Sequence, residues 1–245
     1  MFPNEVDNVL KKTNPFRVGW LGFVMNECLR KKINNWYVFN DKNIWGLRIF
    51  LNIISIEVEE MKSIDDELPK TGRIGRFVKI LEKEVSKDNM IKILDDIDKY
   101  NSFSPSKRGE WWKDVIIRME NEIGTEKTKK ILDICGSKCC GQGHRKTVRK
   151  KFEDSNSIED FLDKISIKGV TYELVDKNTI IAEYQRCFCG LVKDSKITFP
   201  NMTYCECGTE FNRQYFSSAF GKPVEVELIK SVISGSDGCK YIIHF

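Results

Sequence analysis

Seven of the nine cysteines lie in two short stretches of the chain, and this grouping constrains the fold more than any other feature. The first cluster consists of Cys135, Cys139 and Cys140. The second consists of two Cys-x-Cys units, Cys187-Phe-Cys189 and Cys205-Glu-Cys207. The remaining two cysteines are Cys28 and Cys239. Thiolates gathered in this way are soft, charged ligands that suit zinc or an iron–sulfur cluster. The sequence therefore predicts that a metal organises the C-terminal half.

Composition sets the broad class of the protein. The chain has 245 residues, of which 41% are hydrophobic and 31% charged, and its net charge is only +4. These values are typical of a globular protein with one or two domains, and they give no argument for a nucleic-acid partner. We see no secretory signal, and the strongest apolar stretch, residues 44–56, contains Arg48 and is too short to span a membrane. We therefore expect a cytoplasmic protein whose cysteines are thiols or metal ligands.

The first two-thirds of the chain has the apolar spacing of α-helices. Helices are predicted over residues 16–33, 45–61, 73–85, 87–100, 106–123, 125–134 and 157–165, with a further basic helix that begins near residue 146. Ser86 is a candidate N-cap, and Gly124 is expected to close the helix before it. The helix over 125–134 is expected to stop at Cys135 and Gly136.

From Gly169 onward the apolar period changes to that of strands. Residues 170–175 and 179–184 are predicted to form one hairpin, and residues 223–232 and 239–245 a second. A loop over 188–203 and a helix over 208–220 connect them. The predicted fold class is α+β, with an N-terminal helical region followed by ββ–loop–α–ββ and an antiparallel sheet. The expected organisation is a helical extension (1–68), a helical part of the core domain (69–168) and a cysteine-rich α+β part (169–245).

The two Cys-x-Cys units could together supply the four ligands of a tetrahedral zinc site. They are separated by a 15-residue loop. On an extended strand, residues two apart share one face, so each pair could point toward a common metal. Cys205 and Cys207 also begin a predicted helix, whose dipole favours thiolate over thiol. The competing interpretation is that these cysteines are buried as small hydrophobic side chains.

The first cluster has three possible roles that the sequence leaves open. Cys135 and Cys139 share one helical face, as do Cys140 and His144, although glycines interrupt both spacings. The cluster could complete the same metal site, form a second one, or contain a nucleophilic cysteine. Cys140 and His144 are the candidate catalytic thiol–imidazole pair. The candidate metal ligands of the whole chain are Cys187, Cys189, Cys205, Cys207, Cys239, Cys135 and Cys139.

Charged and aromatic runs have simpler interpretations. The basic run over residues 145–151 is interpreted as a solvated helix face. Trp111, Trp112 and the aromatic residues of the predicted helix over 208–220 are expected in the core. If a ligand pocket exists, these helices would form its walls.

Several C-terminal motifs resemble a known superfamily. The segment Phe220-Gly-Lys-Pro-Val-Glu-Val-Glu-Leu228, followed by Ser231-Val-Ile-Ser-Gly235 and Cys239-Lys-Tyr-Ile-Ile243, resembles the 4-vinyl reductase domain superfamily. The units Cys187-Phe-Cys-Gly190, Tyr204-Cys-Glu-Cys-Gly208 and Cys135-Gly-Ser-Lys-Cys139 look like a neighbouring bacterial and archaeal family. Many members of that family are labelled L-2-amino-thiazoline-4-carboxylic acid hydrolase-like. The resemblance covers roughly residues 69–245.

The resemblance implies a ligand-binding α+β fold, often dimeric, with an apolar pocket beside a cysteine-bound zinc. Cys239 matches the last zinc ligand of sensor relatives that bind aromatic compounds, and Cys205 or Cys207 matches the first. The two middle ligand positions fall near Leu228 and Ser231, which are not zinc ligands. The chain departs from the family pattern there.

Three functional hypotheses follow. The leading one is a zinc-organised small-molecule-binding domain with an apolar pocket. The alternative is a hydrolase of a small cyclic thioimidate or amide, which needs an activated water or an ionised cysteine near a base. The third is an iron–sulfur or redox protein, and an interaction module remains as a fallback. The expected partner is a small aromatic or acidic molecule, and the expected assembly is a homodimer.

Overall fold

The structure is a computed structural model that describes residues 68–245. The chain divides into two units, residues 1–63 and 64–245, and the described residues all belong to the second. Residues 1–67 of the predicted N-terminal extension, the helices over 16–33 and 45–61, and Cys28 lie outside the described residues.

Seven α-helices occur within residues 68–245. They are α1 (Gly72–Glu84), α2 (Lys87–Ile93), α3 (Pro105–Ile123), α4 (Thr125–Cys139), α5 (Gln142–Glu153), α6 (Ile158–Ile165) and α7 (Glu206–Phe220). Ser86 caps α2 by accepting a hydrogen bond from the Asn89 N–H, and Gly124 ends α3 with a φ of +79°. Both residues were predicted in these roles, which are confirmed. In this described part of the chain, no helix is long and apolar enough to cross a membrane.

Two helices end at residues other than those predicted, and the basic helix, α5, begins at Gln142 instead of near residue 146. The helix expected over 87–100 ends at Ile93, and a 3-10 helix, Ile97–Ser102, follows it. Asp96 separates the two because it adopts a left-handed conformation with a φ of +61°, which a short polar side chain tolerates. The prediction that α4 stops at Cys135 and Gly136 is wrong, since α4 continues to Cys139. Gly136 is buried inside α4, where it serves a packing role described below.

The four strands form one antiparallel sheet, as the fold-class prediction expects. The strands are β1 (Val170–Asp176), β2 (Thr179–Tyr184), β3 (Glu225–Lys230) and β4 (Cys239–His244), in the order β1-β2-β4-β3. Ala182 pairs with Tyr172 on one side and with Tyr241 on the other. Both predicted hairpins are present, and α7 connects them. The α+β fold is therefore confirmed.

Two clusters of buried side chains stabilise this part of the chain. The first lies among α1–α4 and is centred on Trp112, whose indole N–H donates to the hydroxyl of Tyr100 over 3.1 Å. Val192 and Phe199 anchor the loop between β2 and α7 to the same cluster. The second lies between the sheet and the helices α5–α7, with Phe216 fully buried at its centre. Seven of the eight described cysteines lie on or just after α4, in this loop or at the start of α7, and the eighth, Cys239, begins β4.

Candidate functional site

The structure divides each Cys-x-Cys unit between two groups of thiols. The second members, Cys189 and Cys207, line a small cavity together with Cys135 and Cys139. The first members, Cys187 and Cys205, face Cys239. We call this cavity the thiol cavity. We call the second group, which consists of Cys187, Cys205 and Cys239, the sheet-side thiols.

Helical geometry explains why Cys205 and Cys207 separate. Cys205 is the N-cap of α7, and Cys207 lies inside the first turn of that helix. Residues two apart on an α-helix point about 200° apart, so their side chains leave in nearly opposite directions. The expectation that both would point together assumed an extended strand, and it does not hold here.

The contact that defines the thiol cavity joins Cys139, at the end of α4, to Cys207, at the start of α7. Both side chains line the cavity, and a hydrogen-bonding interaction between them is the largest cause of the pKa shift of each. Gly136 makes this contact possible, because a Cβ at that position would overlap the carbonyl oxygen of Cys207 and lie 2.9 Å from the Cβ of Glu210. Gly136 thus brings α7 against α4 and sets the two sulfur atoms side by side.

Two arginines of α1 place positive charge at Cys139. The thiol of Cys207 donates a hydrogen bond to the sulfur of Cys139, Arg73 lies nearby, and Arg76 also donates a hydrogen bond. These interactions lower the pKa of Cys139 to about 6, against the opposing effect of burial. The pKa of Cys207 is raised, first by that hydrogen bond and then by burial. Cys139 therefore carries the thiolate, and Cys207 holds the proton.

The helix dipole alone does not decide which cysteine ionises. The sequence indicated thiolates at Cys205 and Cys207 because both begin α7. Instead, burial raises the pKa of Cys205 to about 12, and the pKa of Cys207 is raised as well. The thiolate forms at the C-terminal end of α4, where the dipole opposes it. The hydrogen bond and the two arginine charges outweigh the dipole at this position.

Cys135, a third thiol of the cavity, is protonated at neutral pH. Burial raises the pKa of Cys135 to about 12, and the nearby Cys139 contributes further. The sulfur of Cys189 lies 3.2 Å from the hydroxyl of Tyr204. The cavity has a volume of about 50 Å³, and Phe77, Ile80 and other apolar side chains complete its wall. It has room for a small reactive group and little more.

Two of the sheet-side thiols, Cys205 and Cys239, contact Ser231 and its neighbour Val232. The sulfur of Cys205 lies 3.0 Å from the Ser231 hydroxyl, and the N–H of Val232 donates to the sulfur of Cys239 over 3.4 Å. Burial raises the pKa of Cys187 to about 11. Cys205, Ser231 and Cys239, which the resemblance aligns with three zinc-ligand positions, therefore lie together in the fold.

Cys140 and His144, the candidate catalytic pair, have different surroundings. Cys140 is fully buried at the end of α4, and burial raises its pKa. His144 is exposed on α5, and its ring packs edge-on against Phe211. Arg145, from the basic run, donates hydrogen bonds to the carbonyl oxygens of Cys140 and Ser137 and so caps α4. The catalytic role of the pair stays a prediction.

The metal prediction also stays a prediction. Within residues 68–245, no group of three or more His, Cys, Asp or Glu side chains is arranged to hold a metal ion. The arrangement that the structure does show is four thiols around one cavity, in which Cys139 and Cys207 shift each other's pKa.

Sequence reasoning missed the residues that tune this site. Arg73 and Arg76 lie about 60 residues before Cys139, and nothing in their local pattern distinguishes them from other basic residues on helices. A signal did exist for Gly136, since a glycine inside an otherwise regular helix often marks a close approach of another backbone.

A comparison with models of protein families gave a match to this chain. A model described as a family of unknown function, DUF6144, matches residues 77–244, which is more than half of the sequence. The chain belongs to this family. The match covers every element from α1 onward except the beginning of α1, and thus Cys139, Cys207 and the other described cysteines. Comparisons with curated proteins and with solved structures found no match. The resemblance to the 4-vinyl reductase superfamily remains a prediction.

Proposed function

We propose that Cys139 and Cys207 form a dithiol redox site that reduces small disulfide compounds by thiol–disulfide exchange. The observation that carries this proposal is the placement of both thiols at adjacent helix ends in one small cavity, where each thiol shifts the pKa of the other. Disulfide exchange needs one ionised sulfur as the nucleophile and a second sulfur close enough to resolve the product. The pair has both properties.

The reaction balances with a disulfide R–S–S–R as the oxidant. The Cys139 thiolate attacks one sulfur, forms Cys139–S–S–R and releases RS⁻. Cys207 then passes its proton to the released RS⁻ and attacks the sulfur of Cys139, which forms the Cys139–Cys207 disulfide and releases the second RS⁻. The two sulfurs have to approach from hydrogen-bond contact to about 2.05 Å. One disulfide of the substrate is reduced to two thiols, and the two cysteines are oxidised.

The lining of the cavity favours this reaction over the hydrolase hypothesis. Cysteine hydrolases use a base, commonly histidine, to activate the nucleophile or water. The described residues that line the thiol cavity include no histidine, aspartate or glutamate. A thiolate beside a second thiol needs no such base for disulfide exchange.

The test follows the fate of the two thiols in the purified full-length chain. Reduced protein is treated with bis(2-hydroxyethyl) disulfide, and peptides are mapped by mass spectrometry. We expect an intramolecular Cys139–Cys207 disulfide in the wild type. In Cys207→Ser, we expect the mixed disulfide on Cys139 to accumulate because the resolving thiol is missing. In Cys139→Ser, modification of Cys207 should be slow, since its thiol stays protonated.

Cys140→Ala is the matched control, because it removes a neighbouring thiol that lies outside the cavity. This variant should form the Cys139–Cys207 disulfide as the wild type does. Equal reactivity of Cys139 and Cys135 in the wild type, or a mixed disulfide that persists on Cys139 with Cys207 intact, would contradict the proposal.

A metal centre is the second candidate, and one observation favours it. Cys135, Cys139, Cys189 and Cys207 all line one cavity, so a modest inward shift of their side chains would surround a thiophilic ion with four sulfurs. Metal analysis of protein purified without oxygen tests it. Zinc or iron near one equivalent per chain, lost in Cys207→Ser, would support this candidate. Metal-free protein whose two thiols oxidise readily would support the dithiol site.

A further inference from the structure

An open cleft adjoins the thiol cavity. It has a volume of about 500 Å³ and lies between α1, the start of α3 and the loop after Cys189. Arg73 and Leu191 line both the cleft and the thiol cavity, so the two spaces share one wall. The cavity can take a reactive sulfur, and the cleft is large enough for the rest of a small molecule.

Positive charge dominates this cleft. Arg73, Arg108 and Lys193 contribute three cationic side chains, and Asp194 contributes one carboxylate. Lys193 and Asp194 form a loose, exposed ion pair at 3.9 Å, which leaves both arginines without a carboxylate from the cleft lining.

Arg108 has hydrogen-bonding capacity that the described residues do not use. One of its terminal nitrogens donates to the carbonyl oxygen of Asn101 over 3.3 Å, and its guanidinium lies over the ring of Tyr100. Its Nε is buried and has no hydrogen-bond partner. An unsatisfied buried donor is costly, and an anionic ligand would offset that cost.

Arg73 is held between the two spaces by the loop that follows Cys189. Gly190 has no side chain, and a Cβ there would lie 2.6 Å from a terminal nitrogen of Arg73. The guanidinium therefore packs against the backbone of the loop, where its charge acts on Cys139 and also faces the cleft.

Building on the dithiol function proposed above, we infer that the cleft selects disulfides with an anionic end group, such as a carboxylate or a phosphate. Arg108 and Lys193 attract that end group, while Arg73 lies between it and the sulfur that Cys139 attacks. The reaction is the exchange already described, with R carrying the negative charge. The substrate class is thus a small acidic disulfide.

Three disulfides of matched length test the inference on the reduced full-length chain. They are 3,3′-dithiodipropionate, bis(2-hydroxyethyl) disulfide and cystamine, whose ends are anionic, neutral and cationic. The rate of modification of Cys139 is measured by peptide mapping at low ionic strength. We expect the anionic compound to react fastest and the cationic one slowest, and added salt to reduce the difference.

Substitutions in the cleft test whether its positive charges cause the faster reaction with the anionic disulfide. Arg108→Gln and Lys193→Gln should each slow the reaction with the anionic compound by about threefold to tenfold, a larger factor than for the neutral compound. Lys79→Gln, an exposed cation of α1 outside the cleft, should change neither rate. This control separates the cleft from the net charge of the protein.

The failures of the two proposals are distinguishable. If Cys139 reacts with all three compounds at the same rate, or if Lys79→Gln has the same effect as Arg108→Gln, the cleft inference is wrong and the dithiol site stands. If Cys139 reacts with none of them faster than Cys135 does, the dithiol function itself is wrong.

Discussion

Gly136 of α4 lies directly against the backbone of Cys207 in α7, with no space between them for a side chain. This contact sits one turn before Cys139, so the same close approach that excludes a Cβ brings the Cys139 and Cys207 sulfurs together. The position that the sequence indicated as a helix end is therefore the point where the two halves of the site are joined.

Replacing Gly136 by alanine should separate the pair. The added methyl would overlap the Cys207 carbonyl oxygen, which belongs to backbone and cannot rotate away. We expect a loss of about 1–3 kcal/mol in the free energy of unfolding, as for other overpacked sites. Formation of the Cys139–Cys207 disulfide should also slow. Urea unfolding and peptide mapping measure the two effects.

Gly143→Ala is the matched control for this substitution. A Cβ at Gly143, also within a helix, would meet nothing within 4 Å. The free energy of unfolding of the Gly143→Ala variant should stay unchanged or rise slightly, because alanine is a better helix former than glycine. Equal effects of the two substitutions would show that helix propensity, and not the α4–α7 contact, governs Gly136.

The alkylation rate of Cys139 should rise with pH through a midpoint near 6, because only the thiolate reacts. Arg76→Gln should move that midpoint to higher pH, since it removes a positive charge beside the sulfur. Trace iodoacetamide labelling with peptide mapping measures the midpoint. Cys135, with its pKa raised to about 12, should label little at neutral pH and serves as the internal reference. A midpoint unaffected by Arg76→Gln would contradict the assigned role of this arginine.

Ionisation of Cys139 should also couple to stability. Its pKa is lowered in the folded state from an ordinary value of 9.0 to about 6. A group with a lowered folded pKa stabilises the fold above its unfolded pKa, and this contribution declines below pH 9 and is lost as pH falls through 6. The stability difference between the wild type and Cys139→Ser should therefore shrink from pH 9 to pH 5. Urea unfolding across that range measures it, and a constant difference would refute the linkage.

Asp133→Asn should stabilise the protein at neutral pH. Burial, with the nearby charges of Glu206 and Glu210, raises the pKa of Asp133 to about 6. A carboxyl whose folded pKa is raised favours folding below its ordinary value near 4, and that benefit is lost as pH rises through 6. After allowance for solvent screening, the gain at pH 7 should be about 1 kcal/mol. Thermal unfolding at pH 4 and pH 7 measures it, with Asp163→Asn on an exposed part of α6 as the control.

Thr203→Val should loosen the segment that leads into α7. The Thr203 hydroxyl donates to a carboxylate oxygen of Glu120 over 2.8 Å and so ties this segment to α3. Loss of a hydrogen bond to a charged group should lower the free energy of unfolding by about 1–2 kcal/mol. Thr198→Val, at an exposed position of the same loop, should have little effect in the same urea experiment. An unchanged stability for Thr203→Val would show that Asn201, which also donates to Glu120, suffices.

Much of the fold could be predicted because its signals are local. Ser86 as an N-cap, Gly124 as a helix end and the apolar alternation of the four strands depend only on neighbouring residues. The error at Cys135 and Gly136 arose where a distant contact changed a local preference. A glycine that weakens an isolated helix is retained inside α4 because α7 packs on it.

The sequence by itself determined the elements of this protein and the grouping of its cysteines, since helical and strand periods and ligand-like spacing are properties of short stretches of chain. Only the tertiary structure decided which thiols meet. The rotation between residues on α7 turns Cys205 and Cys207 apart, and the contact at Gly136 selects Cys207 as the partner of Cys139. The interaction with Cys207, followed by the charges of Arg73 and Arg76, then makes Cys139 the ionised member, because charge acts through space and not along the chain.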